Sequence, residues 1–203
     1  MLKSTEERKK QKKEEVANAI IDAAIPLIHD RSFTQISIQE FCEMAGITTG
    51  MFYRHFKTKN DLLSVFYNRE CKHAIDELMT DIKTLSLQEQ LIALGTTICK
   101  CYQLLGPDGM LMYLHNERGA VDCEESRGDF QSAVETVVEN AKANGELLPE
   151  GTTVKAVSDD IVLLFKGATF EWYSWRDNFD IEKTFSDVLQ RMMPAILGKV
   201  STE

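Results

Sequence analysis

The chain is 203 residues long, 43% apolar and 27% charged, a globular balance that excludes whole-chain disorder, a collagen-like repeat or a coiled-coil rod. A formal charge of -9 argues against coating nucleic acid without regard to sequence. That charge is unevenly placed: residues 1–73 hold 12 Lys and Arg against 10 Asp and Glu, whereas the remainder hold 11 against 22, so only the first third tolerates a polyphosphate. Five cysteines (Cys42, Cys71, Cys99, Cys101, Cys123) are an odd count in a chain able to bury a core, which points to a reducing compartment rather than a disulfide framework. No apolar run approaches the roughly 20 residues that span a bilayer. A cytoplasmic protein without a membrane partner is expected.

In chain order, Val16, Ala19, Ile20, Ala23, Ala24 and Leu27 fall on one stripe of a first helix, preceded by the charged segment Arg8–Lys13. That segment reads either as an arm that follows the DNA backbone or enters the minor groove, or as a disordered tail. Pro26 predicts a kink or an early end near Ile25. Ser37 followed by Glu40 is a capping box for a short helix with Ile38, Phe41, Cys42 and Ala45 buried. Gly46 stops it, and Thr48 caps a third helix to about His55. Leu62, Leu63 and Phe66 open a longer helix that runs past Ile75 to Ile82, and Ser86 caps another through Tyr102. Gly106-Pro107-Asp108-Gly109 predicts a turn, and Met110–Tyr113 reads as helix or strand by periodicity alone. Helices follow around Phe130–Ala141, ended by Asn144-Gly145, then around Ile161–Trp175 and Ile181–Ile196. About nine helices and no sheet make the fold all-α.

The stretch from Phe33 to Leu63 carries the most information. Two short helices around a glycine turn make a helix-turn-helix, in which the first braces the second so that its N-terminal residues reach base edges in the major groove. Small residues are needed where the helices cross, and Ala45 and Gly50 meet that need, with Ile47, Phe52 and Phe56 filling beneath. Ser37, Ile38, Phe41, Cys42, Ala45, Gly46, Ile47, Thr48, Gly50, Phe52, Tyr53, His55, Phe56, Thr58, Lys59, Leu62 and Leu63 stand at the spacing of the family pattern, so this segment resembles the helix-turn-helix of TetR-family transcriptional regulators. The resemblance covers about residues 14–65 directly. It implies a DNA-binding domain over residues 1–59 and a helical effector-binding and dimerisation domain over residues 60–203. Thr49 and Met51 depart from the residues common at those positions, so base preference is not transferable from a relative.

On that pattern Thr48, Thr49 and Arg54 face the groove, where threonine hydrogen-bonds or touches a thymine methyl and arginine reads guanine O6 and N7. Gly50 belongs to the same face. Tyr53 places its hydroxyl on a phosphate, and His55 either does the same or packs between helices. Lys57 and Lys59 bind the backbone, helped by the N-terminus of the following helix, with Thr34 and Ser37 as weaker phosphate contacts.

One helix-turn-helix makes few base contacts, so operator specificity calls for a homodimer on palindromic double-stranded DNA. The last two helices are the expected interface, through Phe165, Gly167, Ala168, Trp172, Phe185, Leu189 and Met192. The resemblance implies an effector pocket between the ends, for which Cys99, Tyr102, Met110, Met112, Tyr113, His115, Phe170 and Trp172 are the candidates. The expected function is a repressor released from its operator by a small molecule, with no cofactor, no metal and no catalytic role. Two alternatives stand beside it: a metal- or thiol-responsive regulator using Cys99, Cys101, His115 or Cys123, and a helical protein-interaction module that does not bind DNA.

Overall fold

The computed structural model describes the backbone of residues 5–119, 123–146, 148, 151–175 and 179–197, and among these the side chains of 5–14, 29, 114–119 and 123–128 fall outside the description. The described residues form eight α-helices and no strand: α1 (Thr5–Asp30), α2 (Ile38–Ala45), α3 (Thr49–His55), α4 (Lys59–Asp81), α5 (Leu87–Gly119), α6 (Cys123–Ala143), α7 (Val154–Trp175) and α8 (Ile181–Ile196). Single 3-10 turns stand at Phe33–Gln35 and Ile82–Thr84.

Two expected breaks come out differently. Pro26 does not end α1, which runs on to Asp30, and the Arg31 amide reaches back to the Leu27 carbonyl at 3.0 Å. The proline removes one donor, but the ladder resumes because the apolar stripe continues through Ile28. The turn expected at Gly106-Pro107-Asp108-Gly109 is a kink confined to one residue, with helix on both sides. Only Gly106 leaves helical geometry (φ 65, ψ 170), and Met110–Tyr113 are helical. Proline is suited to the first position of a helix, so Pro107 restarts the coil that Gly106 interrupts. About nine helices were expected and the described residues form eight, the kink at Gly106 dividing α5 into two helical segments. The charged segment before residue 15 is also helical from Thr5, not an unstructured arm.

The chain groups into two compact units. The first takes the residues up to Tyr67 together with Leu104 onward in α5, and the second takes Asn68–Gln103 and the residues beyond α5, so α4 and α5 each contribute to both. In the first, α1, α2 and α3 pack on one another around Ile20, Ile21, Phe33, Phe41, Phe52 and Phe66. In the second, α7 packs on α6 and α8. The Phe165 ring lies 4.8, 5.5 and 5.7 Å from those of Tyr102, Phe130 and Phe185, which ties α5, α6, α7 and α8 into one core.

Gly95 decides how closely α5 and α8 approach. A Cβ built there runs into the ring of Phe185, which is fully buried. Overpacking a filled core costs about 1–3 kcal/mol. Gly95→Ala is therefore expected to lower the thermal midpoint despite the better helix propensity of alanine, and a midpoint at or above wild type would show that Phe185 is free to repack.

Candidate nucleic-acid interface

The geometry of α2 and α3 follows from local chemistry. Ser37 caps α2: its hydroxyl oxygen accepts from the Glu40 amide at 3.2 Å, and Glu40 Oε2 accepts from the Ser37 amide at 2.8 Å and from its hydroxyl at 2.9 Å. Arg31, just beyond α1, adds a 2.7 Å ion pair to Glu40 Oε1. The Ser37 amide first, then Arg31, hold the Glu40 carboxyl at about 2, well below its ordinary 4.5. At the other end Gly46 takes the left-handed conformation (φ 63, ψ 32), so that its amide and that of Ile47 return to the carbonyls of Glu43 and Cys42 at 3.2 and 2.9 Å. Two residues later Thr48 starts α3, its hydroxyl accepting from the Met51 amide at 3.2 Å.

Phe52 and Phe56 are buried, with rings 5.4 Å apart, and they pin one side of α3. The opposite side is bare: Thr48, Thr49, Gly50, Met51, Tyr53 and Arg54 are all exposed, Tyr53 by 55%. Helical spacing puts Gly50 and Arg54 at the centre of that face, Thr49 and Tyr53 on one flank and Met51 on the other. Gly50 does not serve the crossing with α2, because a Cβ there meets nothing nearer than Thr48 Oγ1 at 3.8 Å. Met51, passed over in the sequence reading as a departure, is the one apolar side chain of this exposed set next to Arg54. Its spacing three residues before Arg54 is the signal that puts it beside that face.

Several expected contacts are already engaged within the chain. Ser37 is occupied by its cap. Thr34 shares its hydroxyl with Ser32 at 2.9 Å, and its carbonyl accepts from Lys59 Nζ at 3.2 Å. That ammonium also lies 4.5 Å from the Phe33 ring centroid, and burial lowers its pKa. Lys59 is thus a clasp between the start of α4 and the Phe33–Gln35 turn, while Lys57 stays exposed. The N-terminus of α4 is not open to an anion either, since Asp61 accepts from the Thr58 amide at 2.9 Å and puts a carboxylate there. His55 is half-buried, with Nδ1 shielded and unpartnered among the described residues, which agrees with packing rather than display.

In the rest of the chain, Cys99, Met110, Tyr113 and Trp172 are buried and Tyr102 and Met112 half-buried. Cys99, Tyr102 and Trp172 belong to the second unit and Met110, Met112 and Tyr113 to the first, where the Tyr113 ring lies 4.4 Å from that of Tyr67. Phe170 lines no buried space in this chain: it is 67% exposed on α7. The side chains of His115 and Cys123 lie outside the described residues. Among the described residues no group of three or more His, Cys, Asp or Glu is gathered to hold a metal, and no helix is long and apolar enough to cross a membrane.

The interface expectation is half corrected. Phe165, Trp172, Phe185 and Leu189 fill the chain's own core, Ala168 is half-buried, and only Gly167 and Met192 are exposed. The exposed apolar side chains of α7 are different ones: Leu163 and Phe170 share a face with Gly167, and Trp175 stands off it near the helix end, the three large side chains each more than 60% exposed. Periodicity alone does not tell which of two apolar faces turns inward.

Two measurements follow. Because the Glu40 carboxyl is depressed, its contribution to stability is present above about 4.5 and is lost as pH falls towards 2. A carboxyl NMR titration of Glu40 with a midpoint near 2, moving up in Arg31→Ala, is expected; a midpoint near 4.5 would show that the capping network does not persist in solution. Lys59→Ala is expected to lower thermal stability and weaken DNA binding while leaving its salt dependence unchanged. A slope reduced by about 0.9, the value for one neutralised phosphate, would instead place Lys59 on the backbone.

The comparisons agree with this geometry. The family model described as bacterial regulatory proteins, tetR family, matches residues 20–65. The fatty acid metabolism regulator protein of Bacillus subtilis (strain 168) is 22% identical over 187 residues, 89% of this chain and 95% of its own length. Among solved structures, a TetR-family transcriptional regulator from Pectobacterium atrosepticum superposes with a TM-score of 0.72 at 16% identity, over 93% of this chain and 97% of its own. The transcriptional regulator FadR of Bacillus subtilis in complex with stearoyl-CoA superposes with a TM-score of 0.62 at 20% identity, over 89% and 98%.

Proposed function

The chain belongs to the TetR family of bacterial transcriptional regulators, and on that premise we propose that it binds a palindromic operator as a homodimer, represses from it, and is released by a small-molecule effector. The observation that carries this reading is α3 itself: a helix capped by Thr48, anchored by Phe52 and Phe56, with Thr49, Gly50, Tyr53 and Arg54 turned outward. Arg54 reads a guanine edge with two donors, Thr49 and Met51 contact bases on either flank, Tyr53 and Lys57 hold phosphate, and Gly50 lets the backbone come close. The second copy docks through the exposed face of Leu163, Gly167 and Phe170 on α7. An apolar face left bare on a helix whose other side is already buried calls for a partner.

The full-length similarity to a fatty acid metabolism regulator, and to a structure holding stearoyl-CoA, makes a long-chain acyl thioester the first effector to test. Half-sites lie about 34 Å apart, one turn of DNA, so a shift of a few ångströms puts both reading helices out of register. We assign α4 as the lever, because it starts beside α3 and continues unbroken into the second unit. Effector and operator then weaken each other reciprocally. The proposed place of action is the cytoplasm, and no catalytic role is proposed.

The test is selection of bound fragments from sheared host genomic DNA, with a Tyr53→Ala/Arg54→Ala control. Recovery of a palindromic site by the wild type alone is expected, and no enrichment after stripping of co-purified ligand would overturn the reading. On the recovered site Arg54→Ala is expected to cost about 1–3 kcal/mol and to relax preference at one base pair per half-site. Equal losses on operator and random DNA would confine Arg54 to phosphate. Loss of operator binding with stearoyl-CoA but not with coenzyme A would support the effector class, and no response to either would remove it without touching the DNA-binding reading.

A further inference from the structure

The side chain of Met51 is 39% exposed, and nothing in the fold of α3 depends on it. Its neighbour Phe52 is fully buried and supplies the anchor, while the Met51 amide, not its side chain, completes the Thr48 cap at 3.2 Å. On a face otherwise made of Thr49, Gly50, Tyr53 and Arg54, a thioether has no proton to donate and only a weak acceptor, so it does not read a base by hydrogen bonding. Its partner has to be apolar. In the major groove the C5 methyl of thymine is the apolar group that a base edge presents.

The rest of α3 narrows the choice further. Asn and Gln read adenine with two hydrogen bonds, and Asp and Glu accept from cytosine; none of the four occurs between Thr48 and Lys57. Arg54 therefore serves a G·C pair through guanine, and an A·T pair is read from this helix on its thymine side. Thr49 carries both a methyl and a hydroxyl and suits either mode of contact, whereas Met51 suits one.

Helical register locates the thymine. Residues three apart have Cβ atoms about 5–6 Å from each other, and successive base pairs are about 3.4 Å apart, so Met51 and Arg54 reach base pairs one or two steps from each other. Thr49 and Tyr53 lie on the opposite flank, and His55, one turn after Met51, is half-buried, which leaves Met51 as the exposed side chain of its own flank.

We propose that Met51 is a specificity-determining residue that reads the C5 methyl of a thymine one or two base pairs from the guanine read by Arg54. This rests on the reading of α3 as the operator-binding helix and adds to it the base and the atom. Burying one methyl group favours thymine over uracil roughly fourfold per half-site, and roughly fifteenfold when both half-sites count.

The experiment measures the affinity of the full-length protein for the operator fragment recovered above, with single thymines replaced by deoxyuridine and single guanines by 7-deazaguanine, which lacks the N7 acceptor. For the wild type, a uracil position that weakens binding roughly fourfold in one half-site and roughly fifteenfold in both is expected. Met51→Ala is expected to bind the unmodified operator more weakly and to be indifferent to that uracil, and Met51→Leu to remain sensitive to it. Arg54→Ala is expected to lose its response to 7-deazaguanine one or two base pairs away. Absence of any uracil position whose effect vanishes in Met51→Ala, or such a position more than two base pairs from the Arg54 guanine, would overturn the assignment and leave operator binding intact. Recovery of no operator at all would overturn the reading of α3 and this assignment with it.

Discussion

The reading end of this protein depends on the left-handed turn at Gly46. Helices of eight and seven residues, the lengths of α2 and α3, are far too short to persist alone in water. Their relative angle is set by three residues of connection, Gly46, Ile47 and Thr48, and that connection exists only because Gly46 adopts φ 63 without a Cβ penalty. Around the turn, every end of the two helices is closed by its own chemistry. Ser37 and Glu40 close the start of α2, the Gly46 and Ile47 amides close its end, and Thr48 closes the start of α3. With the backbone settled locally, Phe41, Phe52 and Phe56 need only bury one side to leave the other free for DNA.

Anchoring and display are therefore divided between different residues, and this division explains why so few of the polar groups near the turn are available to a ligand. Arg31 and Ser37 are tied to the Glu40 carboxylate, the Thr34 hydroxyl to Ser32, and Lys59 to the Thr34 carbonyl. They hold the platform. Thr49, Tyr53, Arg54 and Lys57 are left outside it. The clasp at Lys59 also joins the start of α4 to the turn after α1.

Much of this was legible from the sequence because the signals are local. A serine three residues before a glutamate, a glycine after an apolar pair and a threonine before a short apolar run each act within one turn of helix, and each is seen where it was expected. The errors arose where tertiary packing decides. Pro26 was tolerated inside α1 because the buried stripe continues past it, and Gly106-Pro107 kinked α5 at one residue without ending it. Lys59 looked like a surface cation until the fold placed it over Phe33. On α7 two apolar stripes compete, and Phe165, surrounded by Tyr102, Phe130 and Phe185, went inward while Phe170 stayed outside.

The central claim is that two copies of α3 are held one turn of DNA apart and that α4 governs the distance. The most direct measurement is the spin-label distance between the two Lys57→Cys positions of a dimer, in a background whose native cysteines remain unlabelled, read free, on operator DNA and with effector. The account predicts a narrow distribution on the operator, set by half-sites about 34 Å apart, and a shifted or broadened one when the operator is released. A distribution identical in all three states, or operator binding by a monomer, would contradict it.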